Sequence, residues 1–303
     1  MAVIKVRVKI NGTWTNLTES SGKWTVNLTA PSTTSYNLSG GYYPAEIEIT
    51  NDAGTVVTYD STDATWGSIL RLIVKETIKP TIIITSPSNG AYVTNNKQPI
   101  VFTVTDETSG SGVNLSTVKL KIDSTTYSYN STGMVYTAIT NGYQFTFTPP
   151  TALSDGSHTI TVNASDYDGN AGTAVSSTYT VDTVPPTLNI SYPASGLITN
   201  NKNVTVAGIT NDLTSSPVGI KITLGGADQS TVSVGADGSF SKILTLAEGT
   251  NTIVVTATDA AGKSSSVTLT VKLDTTIPKI TAATFAPNPA NSSESVAIAF
   301  VVE

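Results

Sequence analysis

The chain has 303 residues, a net charge of −6 and no cysteine, and only 13% of its residues are charged, against a usual share of roughly 25%. Such a length suits two or three domains of about 100 residues each. The missing cysteines exclude disulfides and thiolate metal sites, and the thin acidic balance leaves no basic footprint for nucleic acid. The longest apolar run, residues 296–302, is far too short to span a membrane.

The first unit is read as residues 1–78 and is expected to be a β-sandwich of its own that anchors the rest. Val6, Val8 and Ile10 alternate with Arg7 and Lys9, and Asn11-Gly12 supplies a two-residue hairpin turn. Pairing across that turn sets Ile10 against Thr13 and Lys9 against Trp14, which puts Trp14 on the face of Lys5, Arg7 and Lys9. The same alternation groups Trp24 with Val26 and Leu28, and Trp66 with Leu70, Leu72 and Val74, so both tryptophans are expected in a core. Of the adjacent Tyr42 and Tyr43, one is expected in the core and one on the surface. Glu46 to Gly54 then reads as a strand, with Ile47 and Ile49 on one side and a turn at Asn51 and Gly54. All three tryptophans and both arginines fall in this unit, which sets it apart from the rest.

The opening charges interleave with apolar residues, so residues 1–14 cannot form the apolar core of a signal peptide. If Met1 is the natural start, the chain is expected not to leave the cell by the general secretory route on its own.

Residues 79–183 and 184–275 read as two copies of one domain. Each begins with a proline-rich opening, PTIIITSPSNGAYVTNNK from Pro80 and PTLNISYPASGLITNNK from Pro186. In each, a turn leads into an alternating strand (Ile160, Val162, Ala164; Ile253, Val255, Ala257) that stops at Asp-x-x-Gly, Asp166 to Gly169 and Asp259 to Gly262. The two stretches align without gaps at an offset of 93 residues. Asp at the first and Gly at the fourth position suit a type I turn closed by a left-handed glycine. Further strands are expected over 100–105, 118–122, 143–148 and 177–181, and then over 204–207, 220–224, 231–234, 240–244, 252–258 and 266–273. Short strands at regular spacing with turns between them argue for two-sheet sandwiches. The connectors Asp182-Thr183-Val184-Pro185-Pro186 and Asp274-Thr275-Thr276-Ile277-Pro278 are short and stiffened by proline. An all-β chain of tandem sandwiches arranged as an elongated rod is therefore expected, with 276–303 as a short terminal β segment. Its last strand, Ser295 to Val302, is expected to need a partner: the third unit, a neighbouring copy by strand addition, or further chain.

The proline-rich opening, the strand-Asp-x-x-Gly-strand unit and the DTxPP connector closely resemble the bacterial Ig-like repeats that occur in tandem on surface adhesins and phage structural proteins. The resemblance covers about 200 residues, from Lys79 to Pro278. NGTWTNLT and SILRLIVKE in the first unit resemble the leading segment of Ig-like proteins encoded among the virion genes of phages and prophages of Gram-positive bacteria. The resemblance implies a non-enzymatic exterior protein of a phage or phage-like particle, on head or tail. Its first unit would dock to the particle's structural proteins and its Ig-like units would project toward host-surface glycans. Such a protein would be assembled in the cytoplasm and released by lysis. The alternative it implies is a fragment of a bacterial cell-surface adhesin or wall protein with Ig-like spacers.

Few residues invite chemistry, and neither catalytic residues nor a cofactor are expected. His158 is the sole histidine, and its counterpart Asn251 argues for a solvated turn residue over a hydrolase triad, which needs a buried carboxylate and an oxyanion hole as well. Asp166, Asp168 and Asn170 form D-x-D-G-N, the start of a calcium loop, but the position for a bidentate Glu holds Ser177. A plain hairpin turn is the expected reading, with a calcium ion as its rival; Asp182 or Asp274 would serve a junction site in the same sense. Lys5, Arg7, Lys9 and Trp14 would form a cationic strip with one exposed ring. Such a strip is suited to docking on a particle subunit or to stacking on a glycan, and also explicable as lysines that protect a sheet edge.

Overall fold

The computed structural model describes residues 1–230 and 232–303. The described chain is all-β, with 26 strands, and among these residues no helix is long and apolar enough to cross a membrane. It divides into two compact units, Met1–Asp182 and Thr183–Glu303.

Within the first unit, the leading residues form a single sheet in which Thr13–Asn16, Val3–Ile10, Tyr43–Asn51 and Val56–Tyr59 lie side by side, with Arg71–Leu72 pairing Tyr43–Asn51. The hairpin closes as its sequence dictates. Asn11 and Gly12 have φ of 49° and 79°, the double left-handed conformation of a type I′ turn, and Ile10 faces Thr13 while Lys9 faces Trp14. A separate hairpin of Thr18–Ser20 and Lys23–Thr25 carries Trp24.

No second full sheet covers this one, which corrects the expectation of a complete sandwich over 1–78. The buried apolar side chains here are Val6, Tyr43, Ala45 and Leu70. Trp24 is half-buried and Trp66 is 51% exposed, so neither is the core residue that alternation implied. The reason for Trp66 is local. The Asp63 carboxylate accepts the backbone N–H groups of Thr65 and Trp66, both at 2.8 Å, and Leu70 N–H donates to the Trp66 carbonyl. The segment coils, and period-two alternation does not apply to it. Tyr43 is buried, and Tyr42 lies half-buried under the Arg71 guanidinium, 4.8 Å from its ring centre, as expected of the pair.

Residues 81–181 form a closed sandwich. One sheet runs Met134–Ile139, Gly142–Phe147, Ile100–Thr105, Thr81–Ser86, and the other runs Thr125–Ser128, Val113–Ile122, Gly156–Asp166, Val175–Val181, Ala91–Val93. Alternate residues of both sheets meet in one core around Phe102, Phe145, Phe147, Leu120, Ile160 and Val162, all with no exposed surface. The Phe102 and Phe145 rings stack at 4.8 Å across a strand pair.

The second compact unit repeats the plan. Thr187–Tyr192, Asn203–Asn211 and Ser239–Thr245 form one sheet; Leu197–Thr199, Ser264–Leu273, Gly249–Thr258, Gly219–Leu224 and Ala227–Asp228 form the other. Val206, Ile222, Ile253, Val255 and Val271 fill the core. Of the strand expected over 231–234, residue 231 lies outside the described residues, while Val232 and Val234 make isolated bridges to Ile220 and Phe240. The terminal strand Ala297–Val302 pairs with Ile280–Ala286 as a hairpin whose residues are all exposed. Its partner is thus the proline-led segment just before it, not the third domain's sheets.

Candidate functional site

The face that carries Trp14 is built by the first strand and its two neighbours. Arg7 faces Glu48 and Lys9 faces Glu46 across the strand pair. The Arg7 guanidinium donates to Glu48 at 2.6 Å and the Lys9 ammonium to Glu46 at 3.1 Å. Hydrogen bonding to Arg7 holds the Glu48 carboxyl below its ordinary range, and the same bond holds Arg7 above its own. Trp14 is half-buried, with the Arg7 guanidinium 4.3 Å and the Lys9 ammonium 5.5 Å from its ring centre. The expected cationic strip is therefore corrected: two of its three charges are matched by glutamates that the alternation of Tyr43–Asn51 places opposite them. Lys5 faces Thr50 and adds a weaker charge attraction to Glu48. Arg7 and Lys9 therefore both lie over the indole in cation-π contact.

The opposite face of the sheet is apolar and only partly covered. Ile47, Ile49, Tyr59, Trp66, Ile69 and Leu70 line an open groove there, with Ile69 72% exposed.

His158 is buried, contrary to the solvated position expected of it. One ring nitrogen lies 2.7 Å from the Asp123 carboxylate and the other 2.8 Å from the Ser154 carbonyl. Partial desolvation pushes the half-exposed Asp123 carboxyl up, but the bonds from His158 and the Thr159 N–H outweigh it and leave the group below its ordinary range. The counterpart Asn251 is equally buried and donates to the Ala247 carbonyl at 2.8 Å. In both repeats the side chain bonds the backbone four residues earlier, so His and Asn exchange because each ties down the turn that precedes its strand. Among the described residues no serine is bonded to His158 through its side chain.

The acidic turn of the second domain sits beside the irregular segment that leaves the first sheet after Leu72, and here side chains converge. Gly169 and Gly262 have φ of 97° and 89°, as Asp-x-x-Gly requires. The Asp166 carboxylate caps its own turn, accepting the N–H groups of Gly169 and Asn170 at 2.7 and 2.8 Å and the Asn170 amide at 2.8 Å. Asp168 turns away from it: its carboxylate accepts the Thr34 hydroxyl and, at 3.0 Å, the Glu76 N–H. Asn170 acts as a donor, to Asp166 and to the Glu76 carbonyl. Asp166, Asp168 and Asn170 thus do not gather around one point as a calcium loop would.

Asp166 meets two other carboxylates instead, Glu76 and Asp106; one oxygen of each of the three lies within 4.8 Å of the others. Glu76 accepts the Ser111 N–H at 2.5 Å and Asp106 accepts the Gly112 N–H at 2.7 Å. Burial, with added repulsion from Glu76, Asp166 and Asp168, pushes the Asp106 carboxyl up. Sequence reading missed Glu76 and Asp106 because they lie in different segments from the turn. One signal was available: Asp106 follows the strand Ile100–Thr105 as Asp212 follows the equivalent Asn203–Asn211. Asp274, the other connector acid considered, is bonded to Lys272 at 3.1 Å, which holds it below its ordinary range.

Residues 80–162 match the family described as Bacterial Ig domain, and residues 186–275 match Glucodextranase, domain B. Bacillopeptidase F of Bacillus subtilis (strain 168) is 33% identical over 117 residues, which is 39% of this chain and 8% of that protein. This chain thus spans a small part of that relative's length. Among solved structures, the fibronectin(III)-like modules of Clostridium thermocellum CbhA align at 15% identity with a TM-score of 0.38, covering 64% of this chain and 94% of theirs. Sidekick-1 immunoglobulin domains 1–5 align at 13% identity with a TM-score of 0.41, covering 92% of this chain and 55% of theirs. Scores this low carry no argument about function. The chain carries tandem Ig-like repeats, a plan compatible with a structural or adhesive role.

Proposed function

We propose that this chain is a non-catalytic structural and adhesive component displayed on the exterior of a phage or phage-like particle, docked through its first 78 residues and presenting its Ig-like domains outward. One observation carries the reading: the two Ig-like domains close their cores, whereas the leading sheet leaves an apolar groove at Ile47, Ile49, Tyr59, Trp66 and Ile69 open. A sheet with one uncovered apolar face gains stability from a partner that covers it. A particle's structural subunit is the occupant in this reading. Host-surface glycans are the ligands of the displayed domains, and the open edges of the 280–302 hairpin offer copies of this chain a place for strand addition.

A second reading has its own support. The segment shared with Bacillopeptidase F lies within a much longer chain, which suits Ig-like modules used as spacers in a bacterial cell-surface or wall protein.

Immunogold labelling with an antibody to residues 79–275 separates the two, applied both to particles released from the source strain by induction and to washed cells. A regular pattern on head or tail is the expected result. Label confined to cell envelopes, with clean particles, would overturn the particle reading in favour of the wall protein.

A further inference from the structure

The acidic cluster at the end of the first sheet's chain has properties that a set of surface carboxylates lacks. Glu76 lies between the first sheet and the Ig-like sandwich. Asp106 closes the strand Ile100–Thr105 and Asp166 ends Gly156–Asp166. Asp166 is 1% exposed and Asp106 7%. Asp106 Oδ1 and Glu76 Oε2 are buried and accept no hydrogen bond. The other oxygen of each is held by a backbone N–H, of Gly112 and Ser111 respectively, so the carboxylates are fixed in orientation while one oxygen of each is left without a donor. Among the described residues no lysine or arginine forms an ion pair with Glu76, Asp106 or Asp166; the Lys75 ammonium goes to the Asp168 carbonyl at 3.2 Å. Gly110 makes room for this arrangement, since a Cβ there would come within 2.8 Å of Asp106 Oδ2 and 2.7 Å of the Glu107 carboxylate.

Buried like charges that lack donors are strongly unfavourable, and they are relieved by taking up a proton or a cation. The donors are all oxygens, with no histidine or thiolate among them, which selects a hard cation; the spread of three separate segments suits the flexible coordination of calcium better than the strict octahedron of magnesium.

We propose that Glu76, Asp106 and Asp166 bind a calcium-class divalent cation that bridges the leading sheet to the first Ig-like domain. The site ties residue 76 to residues 106 and 166, and so fixes the joint already made by Asp168 with Thr34, by Asn37 with the Gly110 carbonyl at 2.6 Å, and by the stacked rings of Tyr36 and Tyr167. The site is independent of where the chain is displayed.

The test uses the full chain stripped with a chelator. Terbium emission sensitised by the nearby Tyr167 and displaced by calcium is expected, together with a thermal midpoint raised by roughly 5 °C or more at saturating calcium. Asp106→Asn keeps the shape and removes a charge. It is expected to lower the calcium stoichiometry by one and abolish the terbium signal, while melting no lower than the stripped wild type, because it relieves repulsion. Glu76→Gln, on the partly exposed connector, is the second variant if the first fails to fold, and is expected to weaken calcium at least tenfold. Asp52→Asn, in an exposed turn, leaves both readouts unchanged. Wild-type protein that shows neither a calcium-dependent midpoint nor terbium emission would overturn the site and leave proton sharing as the way the carboxylates are accommodated. An unaltered stoichiometry in both variants would overturn it equally.

Discussion

The leading sheet and the first Ig-like domain belong to one compact unit, yet they are stabilised in different ways. The domain has two sheets, so its central strands have a buried face and the stacked Phe102 and Phe145 lie in the core they share. The leading sheet has comparable strands and alternation but no second sheet. Its apolar face stays partly open at Trp66 and Ile69, and four apolar side chains are buried in place of a core. The same local pattern thus supports either outcome, and what decides is the presence of a facing layer. The leading sheet relies in exchange on polar ties to its neighbour through Thr34, Asn37, Glu76 and Asp168.

The sharpest break in that contrast comes from paired truncations. Phe145→Ala is expected to lower the denaturant stability of the first Ig-like domain by about 3–5 kcal/mol, whereas Trp66→Ala, at a 51% exposed position, is expected to stay within about 0.5 kcal/mol. Equal losses would mean that the leading sheet has a core of its own.

Next in size are the two acidic turns. Asp166→Ala leaves the Gly169 and Asn170 N–H groups without their acceptor and is expected to cost about 1–3 kcal/mol. It should also increase protease cleavage between residues 73 and 80, because the joint depends on that turn. Asp259→Ala removes the acceptor of the Lys263 N–H and is expected to destabilise only the domain that contains it.

The repeat equivalence at His158 gives a smaller effect with a defined direction. His158→Ala is expected to cost about 1–2 kcal/mol, and His158→Asn to recover most of it, since Asn251 fills the same role in the sister repeat. Failure of Asn to do better than Ala, by urea titration, would refute the shared role.

The smallest effect is in acid. The Asp123 carboxyl is held below its ordinary range by His158 and Thr159 despite partial desolvation, and Glu48 by Arg7. For a depressed carboxyl, the folded state releases its proton more readily, so the contribution is complete above the ordinary value of roughly 4 and is lost as pH falls through the lowered one. Thermal midpoints followed from neutral pH downward should therefore decline below about pH 4, and less steeply in Asp123→Asn. The Glu48 share should also shrink with added salt, because that pair lies near the surface.

Much of the fold was legible because its determinants are local. The Asn11-Gly12 turn, the register of Lys9 on Trp14, the gap-free copies at 153–170 and 246–263 and their Asp-x-x-Gly turns all rest on period-two alternation and on residues that tolerate left-handed backbone. Those preferences act within a few residues of chain. Hence the strand expected over 100–105 appears as Ile100–Thr105, and its neighbours differ from expectation mainly at their ends. The Trp66 segment was misread because an Asx turn at Asp63 coils it.

The candidate site followed the opposite logic. Its turn, with Asp166, could be found from a motif. Its other members could not, since Glu76 and Asp106 belong to different segments and Asp168 of the same motif faces the leading sheet. Sequence by itself determined that this chain is a series of β-hairpins with repeated acidic turns, because hairpin and turn preferences are properties of adjacent residues. Which carboxylates share a buried space, and which sheet face is left open, were decided only by tertiary packing, because both depend on which distant strands are brought face to face.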